Sequence, residues 1–102
     1  NELSATGIVC ITDACADGVT RALYDHGLKI GRDVSVCAVD GDETGALHIP
    51  SRTMLKLPAP DPYIEACIDW FKRPDQPWDG PLLIQPANVP LVLGESTGAA
   101  PK

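Results

Sequence analysis

The sequence predicts an α/β domain built on a parallel sheet, and three observations predict it. Residues 7–11 (GIVCI) and 34–39 (VSVCAV) are short apolar runs with β-branched residues, too short for helices, closed by Thr12-Asp13 and Asp40-Gly41. Between them, residues 14–26 place Cys15, Val19, Ala22 and Leu23 at helical spacing, with Asp13 able to cap the start and Gly27 positioned to end it. Neither strand alternates with polar residues, which is the pattern of a strand covered on both faces. Two such strands joined by a crossover helix lie parallel with a right-handed connection, so Asp13 and Asp40 should emerge at one sheet edge. That carboxyl edge is where open α/β sheets bind ligands.

A chain of 102 residues with 44% hydrophobic content is globular and long enough for one small domain. Strands buried on both faces need further helices and neighbouring strands, and one βαβ unit does not supply them. The expectation is therefore a piece of a longer protein whose earlier part provides the rest. Eight basic against fourteen acidic residues leave a net charge of −6, the wrong sign for a surface that tracks phosphates. No apolar run approaches the roughly 20 residues that span a bilayer, and no signal-peptide pattern is present. The four cysteines, Cys10, Cys15, Cys37 and Cys67, contain no C-x-x-C pair and fall in predicted strands or on helix faces, so they read as buried free thiols in a reducing compartment.

Beyond the βαβ unit, residues 42–51 are polar and read as a loop. Residues 53–57 form a third strand, stopped by the prolines of 58–62. Asp61 is a good N-cap with Pro62 at the first helical position, and Ile64, Cys67, Ile68 and Phe71 follow at i, i+3, i+4 and i+7, predicting a helix that ends before Arg73-Pro74. Residues 74–81 are turn-rich. Residues 82–85 and 89–93 are strand-like, and Pro86 and Pro90 suit an edge strand or a bent crossover. Residues 98–102 should be loose.

Several of these residues form a familiar set: Thr12-Asp13, Ala16-Asp17-Gly18, the run from His26 to Val36, Asp40, Ile49-Pro50 with Thr53, and Gly94-Glu95-Ser96-Thr97. Together they resemble the C-terminal part of the effector-binding core of a LacI-family (LacI/GalR) bacterial transcription regulator, and the run G-L-x-I-G-x-D-V-S-V from Gly27 is its most specific part. The resemblance implies a two-lobed, periplasmic-binding-protein-like fold with parallel sheets flanked by helices. Residues 1–57 would belong to the C-terminal lobe, residues 58–85 would cross over and place a helix on the other lobe, and residues 86–102 would return as a crossover and C-terminal strand or tail. It further implies a cytoplasmic homodimer joined through the C-terminal lobe. A sugar or other small metabolite would bind in the cleft, and DNA would be bound through a helix-turn-helix head outside this sequence. Asp40 matches the acidic residue that faces the effector, and Thr12 a polar position at the end of the first strand. Departures from the family pattern are Leu57, where a polar residue is common, Asp17, where an aliphatic residue is usual on the dimerisation helix, and Gly94, where a basic residue is common.

Asp13 has two readings, as an N-cap and as a further effector ligand. Asp40, with no helix after it, is the better ligand, since a carboxylate accepts charge-assisted bonds from neighbouring hydroxyls. The run from Asp40 to Gly45 mimics the start of an EF-hand loop, but Ser51 stands at the twelfth position and a strand leads in, so no metal site is expected. His26 at a helix end can complement the dipole. Trp70 and Trp78 read as core or surface aromatics rather than sugar-stacking platforms. No nucleophile motif, phosphate loop or paired catalytic carboxylates occur, so the chain reads as a binding module with no cofactor and not as an enzyme. A sugar-binding transport protein of the same fold and a fragment of an α/β enzyme are the alternatives.

Overall fold

The computed structural model describes residues 4–40, 44–74, 80–86 and 88–101, with the Asp40 side chain outside that description. Its elements run β1 (Gly7–Cys10), α1 (Asp13–Asp25), β2 (Ser35–Asp40), a short 3-10 helix (Thr44–Leu47), β3 (Thr53–Lys56), α2 (Asp61–Phe71) and β4 (Leu91–Val92). One sheet has the order β1-β2-β3-β4. β1, β2 and β3 are parallel, and β4 adds antiparallel to β3 as an edge strand. The chain divides into two compact units, Asn1–Leu57 with Val89–Lys102, and Pro58–Asn88.

In the first unit the pleat sorts the side chains. Ile8 pairs with Val36, Cys10 with Ala38, and Ala38 with Met54, so these residues share the face that α1 covers. Cys10, Ala16, Val36, Ala38 and Met54 are buried there, with Ile8, Val19, Leu23 and Ile30 packed around them. The stripe that α1 buries is thus Ala16, Val19 and Leu23, whereas Cys15 and Ala22, expected on it, are exposed. On the opposite face, for which the sequence pattern expects cover from outside these residues, Val9 is 74% exposed and Ile11, just past the strand, 82%. Gly27 takes φ 71° and ends α1 as predicted, while His26 Nδ1 lies 2.8 Å from the Ala22 carbonyl in its last turn.

Two predicted caps are corrected. Thr12, extended at φ −138° and ψ 157°, is the N-cap of α1, and its hydroxyl accepts the Cys15 N–H at 3.1 Å. Asp13 is the first helical residue, its carboxylate turned instead to Arg52. Likewise Pro60 is the N-cap of α2, without a side-chain bond, and Asp61 is already helical. In the second unit α2 forms as expected over most of its range, but Ile64, Ile68 and Phe71 of its apolar stripe are exposed. Trp70 meets Phe71 edge-on at 5.2 Å and Arg73 lies over its ring at 5.4 Å. Residues 82–85 carry no strand, and of residues 89–93 only Leu91–Val92 pair. Trp78, read from the sequence as a core or surface aromatic, lies outside the described residues.

The segment 94–98 closes the first unit. Ser96, 2% exposed, accepts the Thr53 N–H (2.8 Å) and donates to the Val36 carbonyl (2.5 Å), while its own backbone binds Val36 N–H (2.9 Å) and the Ser51 carbonyl (2.8 Å). Gly94 is required here, because a Cβ on it would stand 2.6 Å from the Ser51 carbonyl oxygen. Gly98, expected loose, is held: the Ser35 hydroxyl accepts its N–H at 3.1 Å. Nor are the cysteines uniformly buried. Cys10 is, Cys37 is half-buried, and Cys15 and Cys67 are exposed free thiols, Cys15 beside the buried stripe of α1 and Cys67 on a helix that buries none of its residues.

Ser96→Ala removes a donor and an acceptor from buried backbone groups, each worth about 1–3 kcal/mol when left unsatisfied. The variant should lose about 2 kcal/mol or more of stability in urea titration of the full-length protein, and an unchanged midpoint would show that this tie is dispensable.

Candidate functional site

The register of β1 and β2 places the sequence-predicted residues at one edge. Cys10 pairs with Ala38, so Thr12 and Asp40, each two residues further on, both stand at the carboxyl ends of their strands. The Asp40 backbone pairs with Lys56 of β3. Its side chain, with residues 41–43 of the loop resembling an EF-hand, lies outside the described residues. Thr12 is exposed and uses its hydroxyl as the α1 cap. Asp13 is half-buried and already engaged: its carboxylate accepts from the Arg52 guanidinium and from the Thr44 hydroxyl at 3.2 Å.

Arg52 is the residue that sequence reasoning missed. It precedes β3 with the same parity as buried Met54, which points it toward the α1 side of the sheet, and it is 4% exposed. Its Nη1 donates to Asp13 and its Nη2 to Asp17 at 2.8 Å. Burial opposes its charge and is the largest influence on it, but the bonds to Asp17 and Asp13 and their charges outweigh burial, so its pKa lies above the ordinary arginine value. The signal was present in the spacing: Asp13 and Asp17 stand at i and i+4 on one helix face, and a lone Arg directly precedes the third strand run.

Asp13, Asp17 and His48 bring one ligand atom each within 4.8 Å of one another, a spacing that suits a cation. His48 Nδ1 lies 4.0 Å from Asp17. The guanidinium of Arg52 already answers both carboxylates, so the group's chemistry is that of an internal ion pair. The candidate site is therefore built on the turn of residues 11–13, whose acidic residue is held by Arg52, at the same sheet edge as the end of β2.

A sheet whose first three strands are parallel, with Thr12, Asp13 and Asp40 at its carboxyl edge, defines a class, and comparison agrees with it. Residues 1–63 match the family described as the periplasmic binding protein-like domain, and the chain belongs to that family. Among curated relatives, it is 36% identical over 53 residues to the HTH-type transcriptional regulator MalR of Clostridium butyricum, covering 52% of this chain and 16% of that protein. It is 35% identical over 51 residues to the lactose operon repressor of Escherichia coli (strain K12), covering 50% of this chain and 14% of that one. A solved LacI family transcriptional regulator from Arthrobacter sp. FB24, in complex with lactose, superposes with a TM-score of 0.65 at 26% identity over 92% of this chain and 35% of that chain. The chain thus spans about one sixth of the length of these curated relatives. Among the described residues, no helix is long and apolar enough to cross a membrane.

Because Asp13 is the less exposed partner, Asp13→Asn should destabilise the protein by about 1–3 kcal/mol by leaving part of a buried charge unanswered. Asp17, 58% exposed at its side chain, should matter less, and Asp17→Asn should cost under about 1 kcal/mol. Thermal melts of both variants check the order, and equal losses would contradict it.

Proposed function

We propose that this chain is the effector-binding portion of a LacI-family transcription regulator that responds to a sugar, and not an enzyme. The observation that carries the reading is the shared edge: parallel β1 and β2 deliver Thr12, Asp13 and Asp40 to one rim of the sheet. The similarity to a regulator crystallised with lactose supports a sugar as the effector. Asp40 is the leading ligand, because its carboxylate can take hydrogen bonds from two adjacent hydroxyls. Thr12 and Asp13 join it, Thr12 offering the lone pair its cap bond leaves. Residues 58–85 cross to the second lobe, and residues 86–102 return.

DNA binding belongs to a helix-turn-helix head outside this sequence, and the protein acts in the cytoplasm. Exposed thiols on Cys15 and Cys67 fit a reducing compartment. A homodimer joined through the C-terminal lobe is supported by exposed Tyr24, Leu28 and Ile49 beside α1. Those residues, with Ile30, Pro50 and Glu95, line one groove. A sugar-binding transport protein of the same fold is the competing reading. It predicts a secretion signal where the regulator predicts the helix-turn-helix head.

Asp40→Asn in the full-length protein keeps the size and turn preference of the residue and removes its charge. Titration calorimetry with lactose, or with whichever sugar a thermal-shift screen selects, should show affinity weakened by about 1.5–3 kcal/mol, roughly tenfold or more, with the fold intact. Equal affinities would remove Asp40 from the site. The net charge of −6 predicts that these residues alone show no salt-dependent retention of duplex DNA, and a steep salt slope would contradict it.

A further inference from the structure

Arg52 is a buried charge in an apolar setting. It has the parity of Met54, whose buried neighbours on that face of the sheet are Cys10, Val36 and Ala38. Burying an ion pair costs hydration at both partners, and an apolar side chain of similar volume often fills such a place with no loss of stability. Stability alone therefore does not account for a guanidinium here, and its setting does more than neutralise charge. The Arg52 N–H donates to the Gly45 carbonyl at 2.9 Å, so the short helix after β2 anchors the residue at its base. At its tip Nη1 donates to one oxygen of Asp13, and Nη2 donates at 2.8 Å to Asp17, one turn further along α1. The same short helix supplies the Thr44 hydroxyl, which donates to the second Asp13 oxygen at 3.2 Å. Donors on both oxygens fix the plane of the Asp13 carboxylate, while 22% of its side chain stays open to solvent.

We propose that Arg52 is a positioning residue for effector binding: without touching the sugar, it sets the affinity by holding the Asp13 carboxylate in one orientation at the rim. A carboxylate has about four acceptor positions. Arg52 and Thr44 take one on each oxygen, and the positions that remain meet sugar hydroxyls in a fixed direction. An aspartate free to change rotamer has to be ordered when the sugar arrives, and that ordering subtracts from affinity. Arg52 imposes the order when the protein folds. The planar fork suits the task, since a lysine ammonium is a point donor that cannot hold two carboxylates in one geometry. Asp17 belongs to the device, because its bond to Nη2 sets the angle at which Nη1 meets Asp13. The inference rests on the effector reading of Asp13 given above.

The test titrates the full-length protein by calorimetry with lactose, galactose, glucose, maltose and ribose. Each variant is measured well below its melting temperature, so that affinity is read on folded protein. Arg52→Lys should weaken the sugar that binds roughly fivefold, the loss expected when one side chain must be ordered on binding. In an Asp13→Ala background, which has no carboxylate to hold, the same change should alter affinity by less than about twofold. Equal affinity in Arg52→Lys and the unsubstituted protein overturns the proposal and leaves Arg52 a structural ion pair. A full loss that persists in the Asp13→Ala background also overturns it, since Arg52 then acts by another route. Should Arg52→Lys fail to fold, Asp17→Ala carries the test from the exposed side of the pair. Affinity reduced about threefold, within the same range, is then expected, and unchanged affinity overturns the proposal. An unsubstituted protein that binds none of these sugars overturns the effector reading itself, and the role of Arg52 falls with it.

Discussion

Arg52 carries a positive charge into the space beside α1, and much of the surrounding geometry follows from the need to meet that charge. An unpaired buried guanidinium would lose several kcal/mol of hydration, so the fold supplies Asp13 and Asp17 from successive turns of α1. Thr44 then supports Asp13 from the short helix after β2. Three segments distant in sequence, the start of α1, the loop after β2 and the entry to β3, meet at the Asp13 carboxylate, which accepts from both Arg52 and Thr44. Because Asp13 begins α1 directly after Thr12, this tie also fixes the turn at the end of β1. Packing between α1 and the sheet could tolerate a small slide of the helix along its axis. Two carboxylates on one guanidinium cannot.

A second constraint acts at the same end of β3, where the strand begins. Ser96 and its neighbours fill hydrogen-bonding positions beside β2 and β3, and Thr53 turns its hydroxyl to the Gly94 N–H at 2.9 Å and to Thr97 at 2.7 Å. The tail therefore serves as structure for the sheet. Close backbone approach explains its composition: Gly31, at φ 84°, packs against the Glu95 carbonyl with no room for a Cβ. A side chain at position 94 is excluded by the Ser51 carbonyl.

The βαβ unit was legible because its strands are unbroken apolar runs and its helix repeats at the right interval, both local properties of the sequence. The third strand and α2 were legible for the same reason. What failed depended on partners elsewhere in the chain. Asp13 looks like a cap to any local reading, since only the arrival of Arg52 from 39 residues away assigns its carboxylate otherwise. Residues 82–85 have strand composition, but no neighbour takes them up, and β propensity alone does not make a ladder. Gly98 looked loose until Ser35, 63 residues earlier, captured it. At the site, the shared edge of Thr12 and Asp40 followed from strand direction alone, whereas the ion pair behind it required the fold.

These constraints leave a turn that is rigid at its base and open at its rim, at the edge where parallel sheets take their ligands. Hydrogen exchange of the full-length protein, with and without a saturating sugar, tests that assignment most directly. The account predicts slower amide exchange at residues 11–13 and 39–41 in the presence of sugar. Binding that leaves both strand ends unchanged would contradict it.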